Sequence, residues 1–314
     1  MKPLMKRHTE TACRQPGLRT PHSLSSVARL RRVDALRTPN AFTLIELLVV
    51  ISIIALLAAL MLPVLSKVKV KAQVKKAQLE VSGIAQAIHT YEGDYSKFPV
   101  SSAAMNAASA VAAPSGPEDF TYGTKGVICV GPGGPVIPTD SGFKTPTGTC
   151  PITTPGLGSN QQTNNADVMA VLLDVEHWPN TPNVPTVNLG HGKNPSKTRY
   201  LNPNMSGNTF SPGVGTDGIY RDIWGNPYII TIDLNYDDKA RDAFYRLPAV
   251  STDLSDKTIP PRGLNGLIPK VIGGATIYEA NAPVMVWSAG PDKMIDPTKG
   301  ATVGANRDNI LSWK

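Results

Sequence analysis

Apolar residues run almost unbroken from Ala41 to Leu65, and Glu46 is the only charge among them. At about 1.5 Å of rise per residue, 47–65 spans roughly the hydrocarbon core of a bilayer. This stretch is predicted to be one membrane-spanning helix or an equally apolar assembly surface. The spacing then changes: Val64, Val68, Ala72, Leu79, Ile84, Ala87, Ile88 and Tyr91 recur mostly at intervals of three or four, the period of an amphipathic helix. Together the two halves read as one helix from 42 to about 92, roughly 76 Å long, with Gly93-Asp94 as its stop. Pro63 falls inside it, where the missing N–H and the ring clash predict a loosened turn.

Further along, periodicity is scarce. Residues 99–165 are rich in Ala, Ser, Gly, Pro and Thr, with a short β-like piece at 127–130, and read as a long excursion from the core. Residues 165–174 predict a short helix with an Asx cap at Asn165 and with Val168, Val171 and Leu172 facing inward. A loop rich in Pro and Asn then runs to about 218. The clearest strand is 228–234, bounded by Trp224-Gly225-Asn226-Pro227 and by 235–238; a second runs from 283 to 288 and closes on Gly290-Pro291-Asp292.

Composition sharpens this division. The chain has 314 residues, 31 basic against 24 acidic, with 27 Gly and 28 Pro, too much punctuation for a helix bundle and too little for a pure linker. Residues 1–41 hold nine Lys and Arg against Glu10 and Asp34, a surplus of seven that equals the whole chain's +7. The remainder is close to neutral, which removes the main reason to expect a nucleic-acid face. The arginines before the apolar run place 1–41 in the cytoplasm by the positive-inside rule and the C-terminal bulk outside, although Lys67, Lys69, Lys71, Lys75 and Lys76 weigh on the other side. The five histidines lack metal-site spacing, the three cysteines form no C-x-x-C, and no G-x-S-x-G or phosphate loop occurs. No catalytic constellation can be named. Cys129 and Cys150, 21 apart in the sequence, either form one disulfide or stay as two thiols.

One word in the chain points to a family. Asn40-Ala-Phe-Thr-Leu-Ile-Glu-Leu-Leu-Val50 resembles the cleavage and methylation site of type IV pilins and type II secretion pseudopilins. The resemblance implies cleavage by a prepilin peptidase between Ala41 and Phe42, N-methylation of Phe42, and Glu46 as the motif's acidic residue. Ala41 stands where that family usually has Gly. Pro63 falls where pilin-like helices commonly carry proline. The segment from Tyr91 to Pro99, the turn Tyr220-Arg-Asp-Ile-Trp-Gly-Asn-Pro-Tyr228, and Trp287 to Asp292 with the ending 306–313 are similar to parts of the major, G-type pseudopilin. The long 100–219 segment resembles the enlarged pseudopilin-like proteins of planctomycete and verrucomicrobial bacteria.

The implied fold is α+β: a long N-terminal helix, transmembrane in its first half and amphipathic in its second, packed on a small antiparallel sheet with long loops. The domains expected are a basic leader (1–41), an assembly helix (42–65), its amphipathic continuation (66–93) and an extracytoplasmic domain (94–314) with an insertion at about 100–219. The implied function is a structural, non-enzymatic subunit of a type II secretion-like pseudopilus in the bacterial inner membrane. Its N-terminus would be cytoplasmic and its outer domain periplasmic. Its partners would be copies of itself, other pseudopilins and an inner-membrane assembly platform. The alternatives are a minor pilin used in adhesion or DNA uptake, and a membrane-anchored enzyme. Glu46, a carboxylate in an apolar helix, is expected to pair with the amine of Phe42, ideally a neighbour's, or else to lodge at the headgroup level. The family's C-terminal loop binds calcium, which here nominates Asp292 and Asp308, then Asp296 and Asn309, as oxygen donors; a solvated acidic loop is the alternative. Trp224, Gly225, Asn226 and Pro227 are expected to fix a turn.

Overall fold

The computed structural model describes residues 42–109, 119–124, 128–131, 134–136, 144–145, 148–149 and 164–313, with the backbone alone at 62–64, 66 and in the strands between 128 and 149. The elements in chain order are α1 (Leu44–Tyr95), α2 (Ser102–Ser109), β1 (Phe120–Tyr122), β2 (Ile128–Gly131), β3 (Gly134–Val136), β4 (Lys144–Thr145), β5 (Gly148–Thr149) and α3 (Ala166–Leu172). There follow β6 (Gly213–Val214), β7 (Tyr220–Arg221), β8 (Ile229–Ile232), α4 (Pro248–Ser251), β9 (Ile268–Ile272), β10 (Ala275–Glu279), β11 (Val284–Ser288), β12 (Met294–Ile295) and β13 (Ile310–Leu311). The arrangement is α+β. The chain divides into two compact units, 1–59 and 60–314.

In the first unit the described side chains are exposed. Leu44–Met61 is apolar and long enough to cross a membrane, and none of it is buried. One long apolar helix of this kind is consistent with a single membrane-spanning segment. The helical assignment passes through Pro63 without interruption.

In the second unit, α1 buries Ala77, Val81, Ile84, Ala87, Ile88 and Tyr91, one face at helical spacing. Val68 and Leu79, expected to face inward, are 54% and 74% exposed: burial of this helix begins only near Val74, and Leu79 lies about 200° around the helix from Ala77, away from the buried face. Gly93 does not end the helix, which continues to Tyr95. The extra turn is held by Tyr91 and Tyr95 packing against Tyr200, at ring-centroid distances of 5.4 and 6.5 Å, and by Tyr200 donating to Asp94 at 2.7 Å. The helix closes at Ser96, whose φ of 51° and N–H bond to the Glu92 carbonyl turn the chain out.

The central sheet has the order β1-β8-β11-β13, and every neighbouring pair is antiparallel. Both of its faces are buried. Ile230 and Ile232 of β8 and Val284 and Val286 of β11 join α1, α3 and β1 in one core. The alternate residues Ile229, Met285 and Trp287 face a second core with Phe244, Tyr245 and Tyr278. Two-sided burial explains why these strands read as continuous apolar runs. A one-residue slip of register would exchange the two cores' side chains. The segment 99–165 is not wholly an excursion, since Phe120 and Tyr122 lie in the first core; beyond it, Val168, Val171 and Leu172 of α3 face inward as expected, and Met169 and Ala170 join them. A second, smaller sheet, β12-β2-β3, contains a parallel pair between β12 and β2.

Candidate functional site

Two regions hold the residues nominated by the sequence. The first is the start of α1. Thr43 occupies the position just before the helix, and its Oγ1 accepts the Glu46 N–H at 3.3 Å. The Glu46 carboxylate reaches back to accept the Thr43 N–H at 2.8 Å and the Thr43 hydroxyl at 2.7 Å. This is a capping box, two helix-start groups satisfying each other. It was legible as Thr-x-x-Glu, yet the sequence reading weighed Glu46 only as a pairing or headgroup residue. Phe42, directly before it, is 78% exposed. Ala41 lies outside the described residues. The side chain of Pro63 also lies outside the described part of the chain.

The second region joins the turn after β7 to the turn after β11. Asp222 is buried and organises it: Oδ1 accepts the N–H groups of Trp224 and Asn226, each at 2.8 Å, while Oδ2 accepts Asn226 Nδ2 at 2.8 Å and the Ser288 hydroxyl. Asn226 also donates to the Gly290 carbonyl at 2.8 Å, so its carboxamide stitches the two turns. Gly225 sits at φ 91°, where Trp224-Gly225-Asn226-Pro227 reverses the chain. Gly290 is required twice over: its φ is 75°, and a Cβ there would lie 2.4 Å from the Asp308 carbonyl oxygen. That close approach lays the C-terminal segment against the Gly290-Pro291-Asp292 turn.

The acidic residues of this region do not converge as one set. Asp308 Oδ2 accepts the Asp292 N–H at 3.3 Å. Burial raises the carboxyl pKa of both; for Asp292 the charge of Asp308 adds to the effect. Asp308 Oδ1 and Asn309 Oδ1 are buried with no hydrogen-bond partner, while Asn309 Nδ2 donates to the Tyr245 hydroxyl at 2.9 Å. Asp296 is engaged differently. Its Oδ1 accepts the Thr298 N–H and hydroxyl at 2.9 and 2.6 Å, and its own N–H is taken by Asn306. Asp308 and Asn309 line a cleft of about 550 Å³ between 307–312 and Val74, Gln78 and Ser82 of α1. Among the described residues no group of three or more His, Cys, Asp or Glu side chains is placed to hold a metal. Any cation here would therefore depend on two carboxylates, an amide and backbone carbonyls. Sequence reasoning passed over Asp222 and Asn306. Asn306 is buried and donates to the carbonyls of Asp296 and Lys299 at 2.7 and 2.8 Å. The disulfide proposed from Cys129 and Cys150 falls on Cys150, outside the described residues.

Residues 37–62 match the family described as the prokaryotic N-terminal methylation motif. This match supports a pilin- or pseudopilin-like assignment, with a methylated N-terminus and a membrane-associated helix, and it covers the junction before Phe42 and the apolar first part of α1. No curated protein and no solved structure matches the chain.

Proposed function

We propose that this chain is a structural subunit of a type II secretion-like pseudopilus, made as a precursor, cleaved between Ala41 and Phe42 by a prepilin peptidase, and polymerised through its N-terminal helix. The observation that carries the reading is the methylation motif matched at 37–62 together with the first part of α1, Leu44–Met61, whose apolar side chains are all exposed. Such a surface is stable only in lipid or against other apolar helices, and one sequence can exchange the first environment for the second. Other pseudopilins and an assembly platform in the inner membrane would be the partners, and the outer domain would be periplasmic. The capping box holds the Glu46 carboxylate at the helix start, next to the residue whose amine cleavage would free. A neighbouring subunit's Phe42 amine can then pair with it and set the axial stagger. The subunit itself does no chemistry. The absence of catalytic motifs in the sequence is consistent with that.

The test is mass spectrometry of the N-terminal peptide from protein recovered from its native membrane. The expected result is a chain beginning at N-methylated Phe42. An intact leader in cells with active peptidase would overturn the reading.

Calcium at the C-terminal turns is the associated proposal. The buried, unpartnered Asp308 Oδ1 and Asn309 Oδ1 and the close Asp292–Asp308 pair support it, since a cation would satisfy oxygens left without donors and relieve two neighbouring carboxylates. Asp292, Asp308 and Asn309 would hold it, with structural effect only. Calcium at millimolar concentration is expected to raise the melting temperature of the wild type and leave Asp308→Asn unchanged. Equal melting with calcium and with chelator removes the proposal.

A further inference from the structure

The five lysines that follow the apolar stretch are unexplained by the reading above. Lys67, Lys69, Lys71, Lys75 and Lys76 are all exposed, and no acidic residue intervenes between Glu46 and Glu80. At about 100° per residue, Lys67, Lys71 and Lys75 lie along one side of α1, while Lys69 and Lys76 lie roughly opposite. Lys75 donates to Gln78 at 3.1 Å and Lys76 sits 3.9 Å from Glu80. Lys67, Lys69 and Lys71 make no hydrogen bond or ion pair among the described residues. Every residue from 67 to 72 is exposed, and packing of this helix starts only beyond it. The cations therefore surround a bare stretch of helix within two to eleven residues of Leu65. A protein partner docked on one side would meet one row of them. A layer of headgroups pierced by the helix would meet Lys67, Lys69 and Lys71 on both sides, all within about 9 Å of Leu65 along the axis.

We infer that these lysines form a collar that binds the phosphate headgroups of an anionic phospholipid leaflet on the side of the C-terminal domain, fixing the depth of the apolar helix while the subunit resides in the membrane. The inference rests on the membrane-spanning part of the proposed function and is independent of polymerisation. The charge complementarity is direct: several basic residues beside a span are attracted to anionic lipid, and the attraction falls off within a Debye length. Cations on an exported side run against the usual distribution, and a lipid role accounts for their placement.

The test uses the full-length chain in detergent with equal phosphatidylglycerol and phosphatidylcholine, reading bound lipid by native mass spectrometry. The wild type is expected to retain phosphatidylglycerol roughly tenfold over phosphatidylcholine. The variant Lys67→Gln/Lys69→Gln/Lys71→Gln should lose most of that preference, and the corresponding Lys→Arg variant should keep it. In parallel, both proteins are reconstituted into phosphatidylcholine vesicles and washed at alkaline pH. A wild type that washes out overturns the spanning reading and the collar with it. Firm retention with equal binding of the two lipids overturns the collar alone. A preference that survives the Gln variant overturns it too, and assigns the preference to the basic segment 1–41. A Gln variant that binds lipid as the wild type does but loses a cross-linked protein neighbour in cells gives the collar to an acidic protein instead.

Discussion

Asn165 shows how single residues hold this loop-rich chain together. It is fully buried, and its side chain makes three bonds to backbone: Nδ2 donates to the Tyr220 and Tyr228 carbonyls at 3.0 and 2.8 Å, and Oδ1 accepts the Tyr220 N–H at 2.9 Å. It was expected to cap α3, and it does not; Asn164 instead accepts the Ala166 N–H at 3.0 Å. Asn188, Asn194 and Asn306 are buried in the same manner, each bonding main-chain groups of irregular segments. Where Pro and Gly prevent a regular ladder, a carboxamide supplies the donor and the acceptor that buried backbone needs. Asn165→Ala should therefore strand the Tyr228 carbonyl and the Tyr220 N–H inside the protein, while the Tyr220 carbonyl keeps the Tyr228 N–H at 3.0 Å, a loss of about 3 kcal/mol. For a domain of this size that lowers the melting temperature by roughly 6–12 °C, measurable by circular dichroism on the full chain in detergent. A shift of only a degree or two would mean that the strands β7 and β8 hold their geometry without it.

Elements were legible in proportion to their length and periodicity. α1 was foreseen to within three residues at each end, and β8 and β11 nearly to their limits, because each carries a long or continuous apolar signal. β1 was not foreseen. Phe120-Thr121-Tyr122 is three residues long and buried on both faces, so neither alternation nor length marks it, and only its pairing with β8 makes it a strand. Two positions of α1 expected inward are exposed: Val68 because spacing does not show where the packed neighbour begins, and Leu79 because it is out of phase with the face set by Ala77, Val81, Ile84 and Ile88. The extra turn to Tyr95 depends on Tyr200, a residue over a hundred positions away, which no local stop signal can anticipate. At the C-terminal turns the two sequence words were visible, yet Asp222, which binds them, looked like one more turn residue. Its role arises from Ser288 and Asn226 meeting it in space. At the start of α1 the signal is wholly local: Thr43 and Glu46, three residues apart, suffice to mark the capping box.

For the second unit as a whole, buried carboxylates set the response to pH. Burial pushes the Asp119 carboxyl up to about 8, against the opposing effect of the Arg241 and Leu234 N–H groups it accepts. Asp222 and Asp167 are raised in the same direction, again by burial first. In the unfolded chain these groups return to the ordinary value of about 3.9. Between those limits the native state holds protons that the unfolded state has released, so stability must fall as pH rises from about 4 towards 8 and level off above it. The exposed loop carboxylates act oppositely. Asp256 is held down to about 2, first by the Arg262 N–H and then by Thr258, and Asp253 is lowered by Ser255, so their contribution is present above pH 4 and is lost only as the pH falls towards 2. The stability of the unit is thus expected to peak in mildly acidic solution. A series of urea midpoints from pH 3 to 9 on the full chain in detergent, followed by near-ultraviolet circular dichroism, would show the peak. Asp119→Asn keeps the size of the side chain and removes a carboxyl that burial raises to about 8, so it should flatten the descent between pH 5 and 8. It should also lower the midpoint at pH 4, where one of the two N–H groups facing Asp119 loses its acceptor. A wild-type midpoint that rises between pH 5 and 8 would mean that Asp119 is ionised in the folded state at little cost, with the Arg241 and Leu234 N–H groups outweighing its burial.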